Sequence, residues 1–164
     1  MGIRLEESAD WTAIYAIYAA AFGQLAEADL VLRLRDDGDL VLSLMAFDEE
    51  PIGHVVFSRL IINEMPAVKG CVLAPVATVP ARQRQGIGAA LIEDGLRRLK
   101  AGGFDLVMVL GEPEYYGRFG FSAEAARPLN TPYDGPYLQA LALSETGRQA
   151  KGPVTYARAF AELK

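Results

Sequence analysis

An apolar run that ends in proline and passes through a glycine-bearing loop into an amphipathic helix restricts the fold of this chain most. Residues 71–79 read CVLAPVATV, the composition of a strand buried on both faces, and Pro80 ends it. Pro75 interrupts the run, and a proline cannot donate to a strand ladder, so a bulge or a splayed edge is expected there. The spacing predicts a helix over residues 85–101, with Ile87, Leu91, Ile92, Leu96 and Leu99 on its buried face. Arg97, Arg98 and Lys100 crowd its last turn, where cations offset the helix dipole, and Gly102-Gly103 stops it. Residues 104–110 form the next strand. A strand, a helix and a second strand in this order make a parallel pair joined by a right-handed crossover.

The loop between strand and helix, Gln83-Arg84-Gln85-Gly86-Ile87-Gly88, carries chemistry as well as topology. The first N–H groups of a helix have no internal partner, and the macrodipole adds partial positive charge there. Such an end receives an anion such as a pyrophosphate. Gly86 and Gly88 allow the backbone to approach it, and Arg82 and Arg84 add local positive charge. The plain alternative is that these glycines only let helix and strand pack closely. A dinucleotide-binding G-x-G-x-x-G fits poorly, because Leu91 stands at the third glycine position. A P-loop is excluded because no G-K-[ST] follows.

The rest of the chain supplies more alternating elements. Residues 1–5 read as a strand, and residues 8–22 as a helix capped by Ser8, with Trp11, Ile14, Tyr15 and Tyr18 at helical spacing. A second helix covers residues 27–35, and strands follow at 40–47 and 52–62 around a turn at 48–51. Residues 112–118 form one or two helical turns, residues 121–136 an irregular section, and residues 137–143 and 154–160 two last strands. With 164 residues, this is one domain, large enough to bury an ordinary core.

Composition narrows the function classes. A formal net charge of -5 gives no electrostatic support to a nucleic-acid partner, and is compatible with a cationic acceptor. The lone Cys71 rules out an intramolecular disulfide and reads as a buried strand residue. His54, the one histidine, has no His or Cys partner at ligand spacing, so no metal site is expected. The apolar stretch 11–22 is short for a bilayer and follows Glu6, Glu7 and Asp10, so neither a membrane partner nor a signal peptide is expected, and the default compartment is the cytoplasm.

At the phosphate loop the chain resembles the GNAT superfamily of acyl-CoA N-acyltransferases. Gln83, Gly86 and Gly88 match the family's Q/R-x-x-G-x-G/A, and Ala77-Thr78-Val79-Pro80 resembles the strand end that holds the pantetheine arm. Downstream, Tyr116-Gly117-Arg118-Phe119-Gly120-Phe121 resembles the Y-x-x-x-G-F signature, and the longer L-G-E-P-E-Y-Y-G-R-F-G-F resembles a bacterial branch of the family. The resemblance implies an α/β (α+β) fold: a mixed central β-sheet, its parallel strands splayed around the cofactor, flanked by helices. It implies transfer of an acetyl group from acetyl-CoA to a primary amine by direct attack, with no metal. Ala77, Thr78 and Val79 would contact pantetheine, and Arg84, Gln85, Gly86, Ile87, Gly88 and Ala89 would cradle the pyrophosphate. Tyr116 would be the general acid for the departing thiolate, with Tyr115 as packing or cofactor contact. The amine acceptor is a small molecule or a peptide, and family members often pair as homodimers.

The general base stays open, because residues 70–80 contain no Asp or Glu. Glu64, Glu112, Glu114 and a water chain are the candidates. The missing carboxylate also keeps a second reading in view, a non-catalytic acyl-CoA-binding or sensing domain.

Overall fold

The computed structural model describes residues 1–162. The chain divides into two compact units: one built from residues 1–58, 74–97 and the segment from Ala157, the other from residues 59–73 and 98–156. Three of the four boundaries fall inside elements, two strands and one helix, and the fourth follows a strand.

In the first unit, β1 (Gly2–Leu5) lies antiparallel to β2 (Leu40–Asp48), and β2 pairs antiparallel with β3 (Glu50–Ile62). The turn between β2 and β3 is tight enough to hold Glu49 at φ 66°. Successive side chains of β3 point to opposite faces, and two sets of partners meet them. Gly53 and Phe57 face α3 (Ile87–Ala101): a Cβ on Gly53 would lie 3.0 Å from Ile87, and one on Gly95 would run into the Phe57 ring. On the other face, Val56 joins a core formed with α1 (Trp11–Phe22) and α2 (Ala26–Asp36), centred on Ile14, Ile17, Tyr18, Val31 and Leu34. The second half of β4 (Gly70–Thr78) adds Ala77 to that core.

In the second unit, the first half of β4 runs parallel to β5 (Leu106–Leu110), with Gly70 opposite Leu106 and Val72 opposite Met108. β5 pairs antiparallel with β7 (Leu138–Ala142), and the end of β3 pairs antiparallel with β8 (Gly152–Tyr156). β6 (Leu129–Asn130) runs parallel to β8. Three short helices complete the unit: α4 (Pro113–Gly117), α5 (Ala123–Ala126) and α6 (Glu145–Arg148). Asp105 ties its parts together, accepting from the Lys69 N–H at 2.8 Å and the Ser144 hydroxyl at 2.6 Å. The strand order β1-β2-β3-β4-β5-β7 makes an open, mostly antiparallel sheet that includes the parallel β4–β5 pair, flanked by helices, as the resemblance implied.

Four local expectations need correction. Ser8 does not cap α1; residues 8–10 form a 3-10 turn whose start is closed by the Glu7 N–H donating to the Asp10 carboxylate at 2.7 Å. The helix after the phosphate loop starts at Ile87 rather than at residue 85, because Gly86 is left-handed at φ 83°. Residues 121–136 are less irregular than expected, since they contain α5 and β6; Ser122 caps α5 by accepting from the Ala125 N–H. The last strand stops at Tyr156, and a 3-10 helix, Arg158–Glu162, follows. Cys71 is a buried strand residue as expected, its thiol pushed up by desolvation.

Candidate active site

The phosphate loop is shaped by two residues in the left-handed region, Arg84 at φ 64° and Gly86 at φ 83°. Alternation of this kind turns successive N–H groups toward one side and makes an anion-binding concavity. A left-handed arginine is uncommon and costs energy, and such strain concentrates where a backbone must meet a ligand. The Ala90 N–H donates to the Gly86 carbonyl at 3.0 Å. The N–H groups of Ile87, Gly88 and Ala89 therefore precede the first helical bond, at the positive end of α3. Nothing lies within 4 Å of where a Gly86 Cβ would stand, so close packing does not explain that glycine. Its positive φ and the open space above it do.

The loop is tied to β4 by side chains whose role was not evident from the motif. Gln83 donates from Nε2 to the Thr78 carbonyl at 3.1 Å. Arg82 donates to the Gln85 side-chain oxygen at 3.1 Å and pairs with Asp48 at 3.2 Å, so part of its charge is spent inside the protein. Arg84, Gln85 and Gly86 are exposed, and Ile87 is buried. Both backbone polar atoms of Val79 are engaged: its N–H donates to the Ile52 carbonyl, and its carbonyl accepts from the Arg82 N–H, each at 2.9 Å. Ala77, Thr78, Val79 and residues 84–89 thus belong to one continuous segment of the first unit.

Tyr116 belongs to the second unit, on α4. Pro113 opens that helix, where its missing N–H costs nothing. The ring packs against Tyr115 at a centroid distance of 5.0 Å and against Phe121 at 6.0 Å. Gly111 is needed beneath it, because a Cβ there would run into the Tyr116 ring. Burial, and then Tyr115, push the Tyr116 phenol up to about 12, so it holds its proton at neutral pH. Arg118 lies over the Tyr115 ring at 4.4 Å, which gives Tyr115 a packing role. Glu64, Glu112 and Glu114 are all exposed.

The acetyltransferase (GNAT) family profile matches residues 10–121. The chain belongs to the GNAT acetyltransferase family. It is therefore an acyl-CoA-dependent acyltransferase. The uncharacterised N-acetyltransferase YjhQ of Escherichia coli K12 is 35% identical over 137 residues, 81% of this chain and 74% of that protein. YhbS of the same strain, also an uncharacterised N-acetyltransferase, is 36% identical over 137 residues, 82% of this chain and 81% of that one. The crystal structure of E. coli YhbS in complex with CoA superposes with a TM-score of 0.90 at 33% identity, covering 98% of this chain and 91% of that one. A Brucella melitensis GNAT acetyltransferase in complex with acetyl-CoA gives 0.80 at 33% identity, covering 97% of each chain.

Among the described residues, no group of three or more His, Cys, Asp or Glu is arranged to hold a metal ion. No described helix is long and apolar enough to cross a membrane. The one histidine sits elsewhere. His54 is fully buried between Tyr18, Ser43 and Glu6, a cluster that reading the chain as periodic elements missed. The only signal for it was a histidine within the mostly apolar run of β3.

Proposed function

We propose that the chain is a single N-acetyltransferase domain that moves the acetyl group of acetyl-CoA onto a primary amine by direct attack. The observation that carries this reading is the Gln83–Ala89 loop, where two left-handed residues lead directly into α3, whose first N–H groups have no partner within the helix. Arg84, Gln85, Gly86, Ile87, Gly88 and Ala89 would hold the pyrophosphate through main-chain N–H groups. Ala77 and Thr78 would offer main-chain groups to the pantetheine arm, Thr78 through its N–H because its carbonyl accepts from Gln83. Val79, whose backbone atoms already have protein partners, would contact it through its side chain.

Attack by a neutral amine on the thioester carbonyl forms a tetrahedral oxyanion, which main-chain N–H donors of the β4 segment would stabilise. Collapse breaks the C–S bond, and Tyr116 would protonate the leaving thiolate and regain a proton from water. A phenol held near 12 is protonated at pH 7 and becomes a useful donor as charge develops on sulfur. The amine's proton leaves through water, in keeping with the absence of any Asp or Glu in residues 70–80 and the exposure of Glu64, Glu112 and Glu114. The acceptor is a small-molecule or peptide amine, and the protein works in the cytoplasm.

A non-catalytic acyl-CoA sensor would share the loop, and Tyr116 favours the enzyme. Two measurements test the proposal. Acetyl-CoA at a hundredfold excess over its dissociation constant should stabilise the fold by about 2.7 kcal/mol, with NAD doing much less. Release of free CoA should then be detected with at least one member of a broad amine panel. Stabilisation without turnover on any amine would favour the sensor; stabilisation by NAD and not by CoA would remove both readings.

A further inference from the structure

We infer that Tyr18 is a positioning residue for the acyl-CoA strand, its hydroxyl pinning β4 at the Pro75 carbonyl while His54, Ser43 and Glu6 hold that hydroxyl in place. The inference rests on the proposal that Ala77, Thr78 and Val79 lie along the pantetheine arm.

Tyr18 and His54 are both wholly buried, in a core otherwise made of Ile14, Ile17, Val31, Leu34, Met45 and Val56. The Tyr18 hydroxyl lies 2.8 Å from His54 Nδ1 and 3.2 Å from the Pro75 carbonyl oxygen. The far side of the imidazole, Nε2, lies 2.8 Å from the Ser43 hydroxyl and 3.0 Å from Glu6 Oε1. Ser43 donates to the same Glu6 carboxylate, which also pairs with Arg35. The chain of contacts thus crosses from Glu6, which follows β1, through β2, β3 and α1, to β4.

Proton counting assigns a role to each member. Burial, then Arg35, push the imidazole down to about 3, so it is neutral at pH 7 and carries one proton. A carboxylate only accepts, and its place beside Nε2 puts the proton there. Nδ1 is then an acceptor, and so is the Pro75 carbonyl. The single Tyr18 hydrogen lies between these two acceptors, which fixes the hydroxyl and brings the carbonyl to it. Phenylalanine would pack as well and would leave both acceptors without this donor.

The place of that carbonyl gives the arrangement its consequence. Proline has no N–H, so residue 75 offers β4 only its carbonyl as a tether. Beside its pairing with β3, three further contacts hold the segment from Pro75 to Val79: Tyr18 at the Pro75 carbonyl, Gln83 at the Thr78 carbonyl, and the Ile52 carbonyl at the Val79 N–H. The main-chain groups between these tethers, on Val76, Ala77 and Thr78, include those proposed to meet the pantetheine arm. Removing the first tether leaves the pairing with β3 in place and loosens the Pro75 end of the segment, which shifts the groups that follow it.

The test is CoA affinity measured by calorimetry, well below the melting temperature of each protein. Tyr18→Phe should fold and should bind CoA at least about fivefold more weakly than the parent. Ile17→Val, a buried neighbour on the same helix that loses one methyl group, should lower the melting temperature and leave CoA affinity within about twofold. A folded Tyr18→Phe protein with parental CoA affinity, whatever its melting temperature, would make Tyr18 merely structural and overturn the inference. Should Tyr18→Phe not fold, His54→Gln decides by the same measurement: weaker CoA binding upholds the inference and parental binding overturns it. A parent protein that binds no CoA would instead overturn the proposed cofactor site, and this inference with it.

Discussion

Replacing Gly86 separates the anion-binding reading of the loop from a purely conformational one. At φ 83° any side chain is strained, and a left-handed residue other than glycine costs about 1–2 kcal/mol, less for Asn and Asp. The space above it is open, so added atoms meet no protein within 4 Å and the strain is the whole folding cost. Asn and Asp have nearly the same shape and differ by one charge. If the pyrophosphate sits over this loop, the Asp carboxylate lies roughly 6 Å from its charges. With an effective dielectric constant of about 40, each charge pair costs about 1.4 kcal/mol, and two cost about 2.8 kcal/mol. That is roughly a hundredfold in affinity. Gly86→Asn should therefore retain CoA binding within about tenfold, and Gly86→Asp should bind about a hundredfold more weakly again, both with similar melting temperatures. Calorimetric titration with CoA reads the difference, and raising the salt should narrow it because the charges are near the surface. If Asp and Asn bind CoA alike, no phosphate lies near Gly86 and the reading of the loop is refuted.

Three further outcomes are expected. Tyr116→Phe should lower turnover by about a hundredfold to ten-thousandfold, with CoA affinity nearly unchanged, and a thioester with a better leaving group should recover part of the loss; unchanged turnover would make Tyr116 structural. Gly95→Ala should lose about 1 kcal/mol: better helix propensity gains up to about 1 kcal/mol, but the new Cβ meets the buried Phe57 ring, and overpacking costs about 1–3 kcal/mol. A raised melting temperature would show that the ring can yield. His54, held near 3 in the fold against about 6.5 unfolded, takes up its proton only on unfolding between those values. Stability should therefore fall as pH drops from 7 toward 3, by up to about 1.4 kcal/mol per unit, and His54→Gln should flatten that slope in urea melts at pH 7, 6 and 5.

The parts of the molecule legible in the sequence were those encoded by short-range pattern. The strand, glycine loop and helix over residues 71–101 have a spacing that few other structures accept, and the parallel pairing of β4 with β5 followed from it. The short helices α5 and α6 were missed because four residues give no periodicity. Their only signals are Ser122 and Ser144, which cap them by accepting from Ala125 and Gly147 N–H groups. The Tyr18–His54 cluster was hidden for a different reason. Tyr18 stands in the apolar repeat of α1 and reads as packing, while its partners His54 and Pro75 are 36 and 57 residues away. A hydrogen bond between distant residues leaves no spacing to read. Likewise, the motif marked Gln83 as present, and only the fold gave it a bond to make.

The proton of the attacking amine leads to a last expectation. The sequence leaves the general base open, because residues 70–80 contain no Asp or Glu. The three candidate carboxylates, Glu64, Glu112 and Glu114, are exposed, where water meets them directly. If water carries the proton away, the enzyme contributes no titrating base, and the acceptor's own ionisation sets the pH dependence. A lysine-like amine with a pKa near 10.4 is neutral in a fraction that rises tenfold per pH unit below that value. The logarithm of kcat/KM should then climb with unit slope through pH 7 to 9. Changing to an acceptor amine of lower pKa should move the plateau down by the same amount. Steady-state kinetics with two amines of different basicity read this directly. A plateau that stays at one pH for both acceptors would belong to a side chain of the protein and would overturn the water route. Substituting Glu64, Glu112 and Glu114 by Gln in turn would then identify that side chain.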